Sequence, residues 1–185
     1  MSFSESESQN RFLKDGRYRF DPNKDRINFG GEGTIYRAYD QNVNRYVALK
    51  MLPSNFASDP KRVERFKREI KTHQLFESHI HVVDFFDQSE EGGRPFFVMR
   101  LLEGGSLRDK LSGEPLSIQQ AFVIFQQIAS AVMAMHHKNY VHLDLKPANI
   151  LFDVQEKAYL SDFGLALDLN GNLVPSGGTP EYQSP

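Results

Sequence analysis

The 185-residue sequence has no cysteine. That excludes disulfides, thiolate metal sites and a cysteine nucleophile, and it agrees with a reducing compartment, the cytoplasm being the simplest expectation. A charge excess is missing too: 22 lysines and arginines stand against 24 aspartates and glutamates, and a net charge of -2 leaves no electrostatic footprint for nucleic acid or an anionic membrane. No apolar run approaches the roughly 18 residues of a membrane span, so no span is expected. The opening MSFSESESQN is acidic and serine-rich rather than basic and then apolar, and reads as a disordered lead-in. Neither His79 with His81 nor His136 with His137 has the spacing or carboxylate partners of a zinc site. What remains, 39% hydrophobic and 25% charged, is ordinary globular material, long enough for one full core or two small lobes.

The texture changes near residue 104. Before it come short runs rich in β-branched and aromatic residues, TIYRAYD, RYVALKM, HVVDFFD and RPFFVMRLL, separated by turn material such as DQNVN and QSEEGGR. These read as strands of an antiparallel sheet. One helix interrupts them, with Asp59 as cap, Pro60 at its first position, and Val63, Phe66, Ile70 and His73 along a face expected to pack on the sheet. Beyond LEGGSL the pattern turns helical. Ser117 and Gln120 form a capping-box signature ahead of an expected core face of Ala121, Ile124, Phe125, Ile128, Val132 and Met135. The short runs YVHL, NILF and AYL that follow have the length of small hairpin strands.

The residues that could carry chemistry sit at the junctions. INFGGEGTIYRA places Gly30, Gly31 and Gly33 between two predicted strands, where a backbone without side chains can close over a phosphate, although a plain hairpin reads the same way. VALK sends Val47 and Leu49 to one side of its strand and Ala48 and Lys50 to the other. Glu69 shares the helix stripe of Phe66 and His73, where it could meet an inward lysine or could be surface charge. HLDLKPAN then packs His142, Asp144, Lys146, Pro147 and Asn149 into eight positions, and SDFGLA, from Ser161 to Ala166, follows one hairpin later.

In that order, the glycine loop, Lys50, Glu69, LEGGSL, HLDLKPAN, DFG and GTPEYQSP resemble the eukaryotic-type serine/threonine protein kinases, above all their bacterial members, over about residues 18 to 185. The resemblance implies an α+β, bilobal protein-kinase-like fold. Residues 1–17 are then a disordered lead-in, 18–103 an antiparallel sheet lobe with one packed helix, and 104–185 the first part of a mainly helical lobe ending in the activation segment. It implies ATP and Mg²⁺ as cofactors and a protein substrate with a serine or threonine acceptor, and it leaves the oligomeric state open.

Residue roles follow from the same resemblance. Gly30, Gly31 and Gly33 would cover the phosphates and Lys50, set by an ion pair with Glu69, would grip them. Asp144 would be the catalytic base, Lys146 would lie near the transferred phosphate, and Asn149 and Asp162 would hold Mg²⁺. Ile27, Asn28, Ile35, Ala48, Val83 and Leu151 would line or flank the nucleotide, Met99 would guard the back of the adenine slot, and the backbone around Arg100 and Leu102 would bind the adenine edge. Lys146, together with Thr179 in GTPEYQSP, favours serine/threonine over tyrosine acceptors.

The sequence departs from the family pattern in three places. Asn28 replaces the first glycine of the loop and brings a side chain, though asparagine tolerates left-handed backbone. Leu143 replaces the arginine that would collect a phosphate on the activation loop, so control through a phosphate at Ser176 is not expected. The chain stops at Pro185, one residue short of the glutamate that would complete SPE. A catalytically silent, nucleotide-binding scaffold is therefore the alternative reading.

Overall fold

The computed structural model describes residues 10–30 and 33–171. The chain divides into two compact units, Met1–Val63 with Phe86–Leu101, and Glu64–Phe85 with Leu102–Pro185.

The first unit is a sheet. Its strands are β1 (Arg11–Leu13), β2 (Tyr18–Phe20), β3 (Arg26–Gly30), β4 (Gly33–Asp40), β5 (Arg45–Met51), β6 (Phe85–Glu91) and β7 (Arg94–Arg100), ordered β1-β2-β4-β5-β7-β6. β2 and β3 lie end to end along β4, Tyr18 opposite Asp40 at one end and Asn28 opposite Ile35 at the other. Val47, Leu49 and Met51, alternate residues of β5, enter one core with Ala38, Phe96, Val98, Tyr18 and Phe20.

β1 corrects the expected lead-in, which was drawn through residue 17. Leu13 is buried in that core, and the hairpin turns through Lys14, Asp15 and Gly16, all at positive φ. Asp87 fastens the hairpin: it accepts from Lys14 Nζ at 2.5 Å, Arg17 Nη1 at 2.9 Å and the Tyr18 hydroxyl at 2.6 Å. Arg17 also holds Asp40 with two bonds, from Nε at 3.0 Å and Nη2 at 2.9 Å. Burial pushes both carboxyls up, but these donors outweigh it and hold them below the usual carboxylate range.

Helix α1 (Pro60–Phe76) starts as expected, Asp59 accepting from the Lys61 N–H at 3.0 Å with Pro60 at the first position. Its first turn counts with the sheet unit and the rest with the second unit, where Phe66, Glu69, Ile70, Thr72, His73 and Phe76 are buried.

The second unit continues with α2 (Leu107–Leu111), α3 (Ile118–His137), β8 (Tyr140–Val141), β9 (Ile150–Phe152), β10 (Ala158–Leu160) and β11 (Leu167–Asp168). β9 pairs antiparallel with β10, and β8 with β11. Ser117 and Gln120 make the reciprocal bonds of a capping box on α3. Ile128, Ala131 and Met135 pack with Phe76, Val82, Phe152, Leu160 and Phe163 in the unit's core, with Ile124 and Val132 against its edge.

Phe125, expected on that face, is 68% exposed, and Ala121 is exposed as well. The reason is that α3 is apolar nearly all round and carries no Asp, Glu, Lys or Arg, so its periodicity fits more than one face. By length and composition alone it is also apolar enough to cross a membrane, a test that a core helix passes as well, and its buried residues belong to a protein core.

Candidate active site

The register of the sheet unit brings one group of predicted residues together. Lys50 lies between Ile35 on β4 and Phe97 on β7, and Ala48 lies opposite Met99. Residues paired across strands share a face, so Ile35, Ala48, Lys50 and Met99 do as well. Lys50 is only 4% exposed, its Nζ 6.0 Å from the Phe97 ring centre. A buried ammonium is costly without compensating partners, which sets this lysine apart from a surface one.

Gly33 explains part of the glycine requirement. A Cβ there would stand 2.8 Å from Lys50 Cε, so with any other residue the lysine stem would have to shift. Asn28 is in extended strand, so its tolerance of left-handed backbone is not used. Ile27 falls in the register break between Arg26 and Asn28 and is 53% exposed. Gly30 pairs with Gly33, and Arg100, half-buried, lies opposite Val47. Gly31 lies outside the described residues, as do Ser176, Thr179 and all of GTPEYQSP.

The second unit holds the other group. Between β8 and β9 the loop 142–149 ends in a 3-10 turn, Pro147–Asn149, whose last N–H bonds the Lys146 carbonyl at 2.9 Å. Asp144 is 6% exposed and accepts from Lys146 Nζ at 2.6 Å and from Asn149 Nδ2 at 3.1 Å. Asn149 Nδ2 also donates to the Asp144 carbonyl at 2.9 Å. The asparagine thus directs its amide nitrogen at Asp144, with Oδ1 as its acceptor atom. Its own carbonyl accepts from the Ser161 N–H at 2.9 Å and hydroxyl at 3.0 Å, tying the segment before Asp162 to the loop. Asp162 itself is at φ +63° and Leu143 at φ +61°, both in the left-handed region.

His142 is buried beneath this loop. Its Nε2 is 3.2 Å from the Ser161 carbonyl, and its Nδ1 accepts from the Asp144 N–H at 3.4 Å, which together select the neutral ring with hydrogen on Nε2. Burial pushes its pKa down, against smaller opposing effects of the Ser161 carbonyl, Asp162 and Asp144. Glu69, 3% exposed, belongs to this unit too. Val83 is fully buried, its N–H on the Leu160 carbonyl at 3.1 Å, while Leu102 and Leu151 are half-buried.

Three participants had no role in the sequence reading. The Phe163 ring, 1% exposed, lies 5.0 Å from His73 and 5.5 Å from His142. Arg65 reaches the Gly164 carbonyl from α1. Gly104 runs so close to the end of β9 that a Cβ would meet the Asp153 carbonyl oxygen at 2.4 Å, which accounts for the first glycine of LEGGSL. LEGGSL marked the last of these contacts, but a basic residue among the charged residues of α1 carried no comparable signal.

The donors present suit a hard cation. Among the described residues no cluster of three or more acidic, histidine or cysteine side chains gathers. Asn149 and Asp162 would offer oxygen donors, the type Mg²⁺ prefers when few protein ligands are completed by phosphate oxygens and water.

Comparison with known proteins agrees with this chemistry. A protein kinase domain model matches residues 23–185. Serine/threonine-protein kinase PknL of Mycobacterium tuberculosis is 33% identical over 178 residues, covering 94% of this chain and 44% of the relative. PrkC of Bacillus subtilis is 33% identical over 164 residues (86% and 25%), and pkn2 of Myxococcus xanthus 36% over 182 (92% and 21%). The chain thus spans less than half the length of these relatives. With the family model covering most of its length, this chain belongs to the protein kinase domain family.

Proposed function

We propose that the protein is an ATP-dependent serine/threonine protein kinase acting in the cytoplasm. The observation that carries the reading is the loop in which Asp144, Lys146 and Asn149 are bonded to one another and, through Ser161, to the segment bearing Asp162. Asp144 accepts the proton of the acceptor hydroxyl as its oxygen bonds to the γ-phosphorus, the bond from that phosphorus to the β-bridging oxygen breaks, and ADP leaves. Lys146, at Asp144, is placed to offset negative charge on the transferred group. Lys50 and Glu69 would take the roles the family pattern gives them. Asn149 and Asp162 would hold Mg²⁺, which when bound neutralises charge on the phosphates.

The relatives are named as serine/threonine kinases, and Lys146 in DLKPAN agrees with that acceptor class. The test is phosphorylation of a generic protein substrate alongside nucleotide binding by calorimetry. Asp144→Asn is expected to lower transfer by about 10²-fold or more with nucleotide affinity nearly unchanged. Wild-type chain that binds ATP and transfers nothing would instead establish the scaffold reading.

A further inference from the structure

Helix α1 carries Arg65, Glu69, His73 and Phe76 at helical spacing, one stripe of the helix. Three of these meet the residues just after Asp162. Arg65 Nε–H donates to the Gly164 carbonyl at 3.2 Å, across 99 residues of sequence. The His73 and Phe76 ring centres lie 5.0 and 6.3 Å from that of Phe163. On the other side of Asp162, Ser161 is fixed to the Asn149 carbonyl by both its N–H and its hydroxyl.

Asp162 therefore lies between two anchors, in a left-handed conformation that costs a non-glycine residue about 1 kcal/mol or more and persists only where its surroundings hold it. The Phe163 carbonyl accepts from the Ala166 N–H at 3.0 Å, and the turn this closes contains Gly164, a residue with wide backbone freedom. Within that turn the bond from Arg65 fixes the Gly164 carbonyl as well. We propose that Arg65 is a positioning residue for Asp162: by holding the Gly164 carbonyl it fixes the backbone downstream of Asp162 and keeps the carboxylate aimed at its divalent cation. This rests on the reading of Asp162 as a Mg²⁺ ligand.

The experiment is calorimetric titration of the full chain with a non-hydrolysable ATP analogue, with and without Mg²⁺. It compares wild type, Asp162→Asn, Arg65→Ala, Arg65→Met and Arg65→Lys, with a circular-dichroism melt of each. Wild type should bind more tightly with Mg²⁺, and Asp162→Asn should lose that gain. Arg65→Ala and Arg65→Met should lose about tenfold of Mg²⁺-supported affinity, with Mg²⁺-free affinity unchanged, as for other residues that orient a metal ligand. Arg65→Lys should recover part of it, since an ammonium can donate to the same carbonyl without the rigid fork. The proposal is overturned if folded Arg65→Ala and Arg65→Met keep the gain, if they weaken binding equally with and without the metal, or if neither folds, each of the last two marking a general structural role. Failure of the underlying reading shows separately, as wild type without a Mg²⁺ gain or Asp162→Asn that keeps it.

Discussion

Gly104 and Gly105 are adjacent glycines that the structure uses in different ways, and exchanging each for alanine separates the two uses. At Gly104 an added Cβ meets backbone, the Asp153 carbonyl oxygen at 2.4 Å and that of Phe152 at 2.8 Å. Side-chain rotation cannot relieve this. The strand must retreat by roughly 0.6 Å or more before the contact is tolerable in a close-packed interior. That retreat stretches two backbone bonds, Gly104 N–H to the Phe152 carbonyl and Phe152 N–H to the Gly105 carbonyl, both 2.9 Å. Each such bond is worth about 1 kcal/mol net, and the overpacking adds about 1 to 3 kcal/mol, so Gly104→Ala should cost about 3 to 5 kcal/mol. At Gly105 the new Cβ would come no closer than 3.5 Å, to Asp109 Oδ2, and only its φ of +76° opposes a side chain, a cost of about 1 kcal/mol. Urea denaturation of the chain followed by circular dichroism measures both. Equal losses, or a larger loss for Gly105→Ala, would refute the close-approach argument.

Aromatic burial gives a second contrast: Phe163→Ala should cost about 3 to 5 kcal/mol, whereas Phe125→Ala on exposed α3 should cost under about 1 kcal/mol, both read from the same denaturation curves. Leu143→Asn should stabilise the chain by about 0.5 kcal/mol, because asparagine accepts φ +61° more readily and the leucine side chain is partly exposed; a loss above about 1 kcal/mol would show that the leucine packs. Stability should also fall as pH drops below 6.5. His142 stays neutral when folded, chiefly because it is buried, while the unfolded chain takes up its proton, so its contribution is full above 6.5 and is lost progressively toward its depressed folded value. His79, held down by burial and by His81, acts in the same direction. The slope is at most about 1.4 kcal/mol per pH unit per group, and His142→Asn, which can also donate once and accept once, should flatten it in denaturation curves measured across that range.

Much of the site was legible because its parts are close in sequence. Asp144, Lys146 and Asn149 fall within six positions, and a single loop ending in a proline-led 3-10 turn is enough to bond them together. The capping residues Asp59 and Ser117 act on N–H groups within three positions, so the starts of α1 and α3 could be read directly. The alternation of VALK fixed which residues share a face with Lys50, since strand geometry has a period of two whatever surrounds it. It did not fix whether that face is solvated, because burial depends on what covers the sheet. The same limit applies to Phe125, on a helix apolar enough to satisfy several faces at once. Strand β1 was missed because three residues beside charged neighbours carry no strand signal without the core that receives Leu13. The bond from Arg65 to Gly164 spans 99 residues, and no local pattern encodes a side chain meeting a carbonyl at that separation. Sequence determined the chemistry available and the local geometry of each element, because both follow from covalent spacing and short-range hydrogen bonds. Tertiary structure alone decided which groups are buried and which distant backbone atom each side chain holds, because those depend on how the elements pack.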